Sequence, residues 1–238
     1  LSKMKILVIG EVIVDKYIYC NTIGKSGKEN HLVIKEISDE TFLGGAGAVA
    51  NNISSFCKNI TLSTIIGEKR KHINYIKKNL AKNIKTHFVF KKNSPTIEKK
   101  RYIDIVSKNK LLGIYDINDT ELNFEQEDKF IKFLNKKIKS YDIVIVPDYG
   151  HGFLTKKSAE IICKKSNFLT LNTQINAFNQ GFHSLQKYKN IDFLIINENE
   201  LRYELREKNV KIEDLIMKVC KKFKIKMLVL TRGADGSI

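Results

Sequence analysis

Residues 142–171 read DIVIVPDYGHGFLTKKSAEIICKKSNFLTL. The run 142–146 is apolar and of strand length, 156–165 spaces its apolar residues as a helix does, and 168–171 is a second apolar run. A strand, a helix and a strand in that order require parallel pairing through a right-handed crossover. The same rhythm extends outward in both directions. Upstream, 5–9 is a buried strand, 46–57 a helix with Ala46, Ala50, Ile53 and Cys57 on one face, 61–66 a strand, 68–80 a helix and 86–90 a strand. The span 124–139 is a helix with Phe130, Ile131, Leu134 and Ile138 inward. Downstream come a strand at 191–196, helices at 199–206 and 212–223, and a strand at 226–230. The stretches 96–106 and 110–117 instead alternate apolar and polar residues, as antiparallel strands with one wet face do. With a similar stretch at 17–36 they predict a small β lid. The expected fold class is α/β: a mostly parallel central sheet with helices on both faces and a lid from about 17–36 and 96–117, all in one domain spanning 1–238.

Composition narrows the function. The chain has 238 residues, 42% of them hydrophobic, enough for a core and too many for a disordered chain. No apolar stretch approaches the ~20 residues that span a bilayer, and no secretory signal opens the chain. Cys20, Cys57, Cys163 and Cys220 are scattered, as in a cytosolic protein with reduced thiols, so the expected location is cytoplasmic. His31, His72, His87, His151 and His183 lack zinc-ligand spacing. The net charge of +16 is nearly all Lys spread over every predicted helix, and Arg, the residue that forks onto phosphate and guanine, is rare. Neither a nucleic-acid nor a membrane partner is expected.

Sheets of this kind bind ligands outside the carboxyl ends of their strands. There the sequence places Gly10, Glu11 and Asp15; Asp148 through Gly152; Asn172, Thr173 and Gln174; Asn197 through Glu200; and Thr231, Arg232 and Gly233. Polar loops are common, so each instance alone says little. The segment 43–52, LGGAGAVANN, adds glycines that let backbone approach a ligand and a helix N-terminus that presents free N–H groups. Its G-x-G-x-x-A spacing also fits a dinucleotide fingerprint, but that fingerprint follows the first strand of its unit closely, whereas a long irregular stretch separates Ile9 from Gly45.

In order and spacing, these motifs resemble the ribokinase-like (PfkB) carbohydrate kinases over essentially the whole chain, and within them the heptose-7-phosphate kinase domains of bifunctional heptose kinase/adenylyltransferases. The resemblance rests on 8–17 (VIGEVIVDKY), 44–53 (GGAGAVANNI), 96–101 (TIEKKR), 148–152 (DYGHG), 197–200 (NENE) and 231–236 (TRGADG). It implies ATP-dependent phosphorylation of a sugar or sugar phosphate, a precursor of surface polysaccharide, with ATP and Mg²⁺ as cofactors. Asp15 would accept hydrogen bonds from sugar hydroxyls, Gly44 and Gly45 would hold the sugar, and Asn52 would support the same wall. Lys99 and Arg101 would meet a phosphate on the substrate, and Asp148 would line the same site. Asn197 and Glu200 would orient Mg²⁺ through water, and Thr231, Gly233 and Gly236 would line the nucleotide.

Plainer readings stand beside these. Asp15 could cap a turn, Lys99 and Arg101 could be a solvated lid edge, and Asn197 with Glu200 could be a capping box. Departures from the family pattern also count: Ala48 replaces an Asn, His151 a Lys, and 172–174 (NTQ) an Asp-Pro-Lys-like segment. No G-A-G-D, the segment that carries the catalytic base in the family, follows Thr231. The base is therefore expected beyond Ile238, and no residue of the chain is assigned as catalytic. The chain, which starts at Leu1, is expected to be C-terminally incomplete and inactive alone. A non-catalytic binding or scaffolding module of a larger nucleotidyltransferase-type protein is the alternative. The lid strands could pair two subunits.

Overall fold

The computed structural model describes residues 3–180 and 185–238, which leaves Leu1 and His183 outside the described residues. Strand β1 (Lys5–Ile9) shows why the chain builds layers on both sides of a sheet. Its alternate residues feed two different cores. Leu7 and Ile9 join one with Phe130, Leu134, Val144, Leu171 and Leu194. Ile6 and Val8 join the other with Ala46, Ala50, Leu62 and Ile76. All four are essentially solvent-free, each contributing about 1.5–3 kcal/mol of transfer free energy.

Seven parallel strands form the main sheet, in the order β11-β10-β9-β8-β1-β4-β5. They are β4 (Asn59–Gly67), β5 (Ile84–Lys91), β8 (Ile143–Asp148), β9 (Leu169–Thr173), β10 (Phe193–Asn197) and β11 (Met227–Thr231) around β1. Helices α1 (Ala46–Ser54) and α2 (Ile73–Asn79) cover one face. Helices α3 (Phe124–Lys137), α4 (Lys156–Lys165), α5 (Glu198–Leu205) and α6 (Ile212–Phe223) cover the other. Leu215, Val219 and Phe223 of α6 show the i, i+4, i+8 stripe that drives such docking. Helix α3 is closed by a capping box of Asn123 and Gln126, with Glu125 and Glu127 in its first turn and Lys136 and Lys137 in its last.

A second sheet, β3-β2-β6-β7, is the lid. Its strands are β2 (Val12–Lys25), β3 (Leu32–Gly45), β6 (Glu98–Asp104) and β7 (Lys110–Asp116). β2 pairs antiparallel with β3 and parallel with β6, and β6 pairs antiparallel with β7.

Several expected boundaries move. The stretch between Ile9 and Gly45, expected to give lid strand over 17–36 and to be irregular elsewhere, is two long paired strands, Val12–Lys25 and Leu32–Gly45. β3 is exposed along most of its length, so no buried alternation marks it in the sequence. Helix α2 begins at Ile73, not at 68, because Arg70 and His72 adopt left-handed backbone conformations that interrupt a helix. Helix α1 ends at Ser54, and the inward Cys57 lies beyond it.

The sheet is not evenly covered. Phe193, Ile195, Met227 and Val229 sit in register on β10 and β11, on the face opposite the Leu194 and Leu230 core. They belong to neither core, and Met227 is 50% exposed.

Candidate active site

The switch point of the main sheet lies between β1 and β8, from which connections run outward to β4 on one side and β9 on the other, and such points hold the ligands of open α/β sheets. Here the chain leaves β1 and enters the lid. Strand pairing then sets the face that looks on the site. Asp15 lies opposite Lys99, and Tyr17 opposite Arg101. The Lys99 row continues to Tyr115 and the Arg101 row to Gly113. Side chains two apart share a face, so Asp15, Tyr17, Lys99, Arg101 and Tyr115 stand together.

Arg101 closes on the Asp15 carboxylate in a short ion pair. Its guanidinium lies 5.5 Å from the Tyr17 ring centre and 5.6 Å from that of Tyr115. The Lys99 ammonium lies 5.7 Å from the same Tyr115 ring. Lys99 is buried, which lowers its pKa, and the Asp15 charge opposes that shift. Two cations, one acid and two rings give a surface able to take hydroxyls and an anion together.

The glycines belong to this arrangement. A Cβ at Gly44 would overlap the Asp15 carboxylate, so the acid can lie against the backbone of β3 only because Gly44 has no side chain. Gly45, with φ at 59°, turns the chain from β3 into α1, and a Cβ there would overlap the Glu11 carbonyl. That carbonyl accepts the Ala46 N–H at 2.8 Å. The Gly-rich helix therefore follows an antiparallel lid strand, not the first strand of a dinucleotide unit.

Beneath the lid lie buried acids. Glu11 is fully buried and accepts the N–H groups of Tyr149 and His151, both at 3.2 Å, and of Phe153 at 3.4 Å. Burial, and next the Asp148 charge, push its pKa up to about 7. Asp148 is 1% exposed. It accepts the Tyr188 hydroxyl at 2.6 Å, pairs with Lys187 at 2.7 Å and accepts the Gly150 N–H at 3.0 Å. Asp148, expected to line the substrate site, is instead an internal acid that holds its own turn. His151 is wholly buried, its ring 6.5 Å from that of Phe178, which in turn lies 6.0 Å from Tyr115. A cavity of about 650 Å³ opens beside Phe178, lined also by Asp119, Gly150, Gly152, Lys156 and Lys187.

The residues expected on the nucleotide side cluster three and four strands from β1, about 14–19 Å away at ordinary strand spacing. Asn197 caps α5, and its amide donates to the Thr231 carbonyl at 3.1 Å. Glu200 accepts the Asn197 N–H and the Ile175 N–H, both at 3.1 Å, and burial raises its pKa. The capping box is thus formed, and it holds the Glu200 carboxylate in place. Gly233 and Gly236 lie in the exposed turn after Thr231, both with positive φ.

Ile238, the residue beyond which the catalytic base is expected, does not point onward from the sheet edge. The turn at 233–236 folds it back on β11, where its N–H donates to the Leu230 carbonyl at 3.0 Å and its carbonyl accepts the Leu230 N–H at 2.8 Å. Ile238 is 56% exposed, and its side chain has no acid–base group.

Of the expected residues, the structure gathers Asp15, Gly44, Gly45, Lys99 and Arg101 into one cluster and Asn197, Glu200 and Thr231 into another. Asn52 joins neither. It is exposed on α1, because the helix turns Ala46, Gly47 and Ala50 to the sheet. Its neighbour Asn51 bonds the Asn79 carbonyl and the Ala81 N–H. Tyr115, Phe178 and Lys187 are additions that no motif marked, and Tyr17, which closes the 8–17 motif, has no role assigned by it. Period-two alternation in the lid could have found the two tyrosines, whereas Phe178 and Lys187 meet the site only through tertiary contacts.

Comparison with known proteins fits this arrangement. The profile of the pfkB family carbohydrate kinases matches residues 3–238. The chain belongs to the pfkB family. Its relatives include the bifunctional protein HldE of Campylobacter jejuni subsp. doylei, 28% identical over an aligned length of 239 that covers 99% of this chain and 49% of that protein. The bifunctional protein HldE of Nitratiruptor sp. is 27% identical over 209 residues, 84% of this chain and 44% of that one. This pfkB-family chain therefore spans about half the length of these relatives. In fold it is similar to phosphofructokinase-2 from Escherichia coli in complex with fructose-6-phosphate, with a TM-score of 0.71 and 13% identity over 98% of this chain and 76% of that one. It is also similar to Arabidopsis thaliana ribokinase complexed with ribose and ATP, with a TM-score of 0.66 and 16% identity over 100% of this chain and 74% of that one. A pfkB carbohydrate kinase is a phosphotransferase.

Proposed function

We propose that this pfkB-family chain holds a sugar phosphate, of the heptose-phosphate kind, beneath the lid and ATP with Mg²⁺ beyond β9, for phosphorylation of a sugar hydroxyl in surface polysaccharide precursor synthesis in the cytoplasm. The observation that carries this reading is the cluster of Asp15, Lys99 and Arg101 against Gly44. Asp15 accepts hydrogen bonds from sugar hydroxyls. Lys99 and Arg101 face the substrate's own phosphate, Arg101 with a fork suited to it. Tyr17 and Tyr115 flank the cations and offer ring faces to the sugar's C–H groups.

The residues on the nucleotide side fit a water-mediated cation. Each Glu200 oxygen already accepts one backbone N–H, which leaves lone pairs for metal-bound water, and Mg²⁺ keeps much of its hydration. Asn197 is held beside it, and Thr231, Gly233 and Gly236 form the edge for the nucleotide. Bound ATP would supply the phosphoryl group, with the cation offsetting its charge. The roles assigned to these residues are holding roles, and the decisive test is binding.

Two further parts of the proposal concern assembly. The half-covered face of Phe193, Ile195, Met227 and Val229 supports a kinase domain completed by further chain. The lid's outer strands β3 and β7 leave one side unpaired and expose Ile37, Leu112 and Ile114, which supports pairing of two lids in a homodimer.

Calorimetric titration with sugar phosphates, the parent sugars, ATP with and without Mg²⁺, and NAD tests the reading. A sugar phosphate should bind at least about tenfold more tightly than its sugar, the gain expected from one charge-assisted contact. ATP should require Mg²⁺. Binding of NAD in preference to ATP, or equal affinity for sugar and sugar phosphate, would overturn it.

A further inference from the structure

Two buried titratable residues that belong to neither cluster, Lys91 and Glu11, lie where the chain returns from the lid to the body. Lys91 ends β5 and is 2% exposed. Its ammonium donates to the carbonyl of Asn118 at 2.6 Å and to that of Thr120. Both acceptors lie in residues 117–123, between β7 and α3. A buried ammonium is costly, and an apolar side chain there would avoid that cost while leaving two carbonyls without their donor. Lys91 has therefore been fitted to this segment.

The opposite wall of the same segment is the 149–153 turn. Gly150 and Gly152 have φ of 69° and 82°. A Cβ at Gly152 would overlap the Thr120 carbonyl, so the two backbones touch. The Gly152 carbonyl also accepts the Leu122 N–H at 3.2 Å. What holds this turn is Glu11, whose two oxygens gather the N–H groups of Tyr149, His151 and Phe153. The Glu11 backbone holds a second crossing, through the Ala46 N–H at the end of β3. Asn118 ties the return segment to the outgoing one through the Asn93 carbonyl at 2.9 Å. The crossings between body and lid thus converge on one buried acid and one buried base.

We propose that Lys91 and Glu11 are positioning residues that set the lid over the acceptor site: Lys91 grips the return segment directly, and Glu11 grips the turn on which that segment rests. Neither belongs to the acceptor cluster or to the cluster of Asn197, Glu200 and Thr231. They hold the strands that carry Asp15, Lys99 and Arg101 at a fixed height over the sheet edge. The use of this device rests on the sugar-phosphate reading; the device itself does not.

Hydrogen exchange on the full chain without ligand tests it. In Lys91→Met, amides of 98–123 should exchange about tenfold faster or more, as when local opening loses a hydrogen bond or two, while β9 and β10 stay as in the parent. Gly152→Ala, which leaves both charges in place, should loosen the same residues, and Lys91→Arg, which keeps the donors, should restore protection. If Lys91→Met fails to fold, Gly152→Ala and Lys91→Arg decide. Unchanged lid exchange in Gly152→Ala, or a rise of equal size throughout the chain, overturns the proposal. As a second readout, Lys91→Met should weaken sugar-phosphate binding at least about tenfold and leave Mg–ATP binding unchanged; equal loss of both also counts against it. A parent chain that binds no sugar phosphate speaks against the acceptor reading, and the exchange result then decides this one alone.

Discussion

Arg101 reaches diagonally across paired strands of the lid to close on Asp15, whose own register partner is Lys99. One acid thereby pairs with one cation and sits in register with another. The pair is partly buried, with both side chains 19% exposed, so its hydrogen bonds are directional and only partly screened. A ligand phosphate would compete with Asp15 for Arg101 and free the acid for hydroxyls.

Asp15→Asn should therefore weaken sugar-phosphate binding about 10- to 100-fold, a loss of roughly 1.4–2.7 kcal/mol, with Mg–ATP affinity unchanged. Arg101→Lys should behave as a loss, because an ammonium cannot supply the planar fork. Titration calorimetry of each variant against both ligands is the check. Equal affinities in parent and Asp15→Asn would remove Asp15 from the site.

Gly44 and Gly45 should fail in different ways when changed to Ala. Gly45→Ala puts a side chain at a φ of 59° and against the Glu11 carbonyl, and should cost about 1–3 kcal/mol of stability. Gly44→Ala displaces the Asp15 carboxylate, so its main effect should be on acceptor binding. Denaturant melts set beside titrations separate the two, and identical profiles for both variants would contradict this assignment.

Glu11 predicts a pH dependence. Burial and the Asp148 carboxylate raise it from 4.5 to about 7, so the folded chain holds this proton more tightly than the unfolded chain does. Its contribution to stability is full below about 4.5, falls as pH rises toward about 7, and levels off above. The span is on the order of 3 kcal/mol. Denaturant midpoints between pH 5 and pH 8 should fall further in the parent than in Glu11→Gln, which has no proton to lose. A parent that gains stability on the variant across that window would refute the assignment.

Asn197→Ala removes the α5 cap and the bond to the Thr231 carbonyl. It should cost about 1 kcal/mol of stability and weaken Mg–ATP binding while leaving sugar-phosphate binding unchanged. Loss of the sugar phosphate instead would show that the two clusters are not separate sites.

Much of this was legible in the chain itself. The apolar runs of β1 and β8 and the stripe of α6 follow local periodicity, because a buried strand or an amphipathic helix has to repeat its apolar residues at a set spacing. The lid was legible only in part. β3 exposes most of its side chains and so carries no such repeat, and its pairing with β2 appears only once register is known. The glycines marked a close approach, but not that Gly44 makes room for Asp15.

Sequence alone determined the α/β class, the order of the motifs along the strand ends, and the types of residue available to a sugar and a nucleotide, because these depend on spacing along one chain. Tertiary structure decided which of them meet. It brought Arg101 to Asp15, sent Asn52 to solvent, turned Asp148 inward to Lys187 and Tyr188, and set Lys91 and Glu11 on either side of the lid's return. Those relations join residues dozens of positions apart, and strand register, helix rotation and burial act only once the layers have packed.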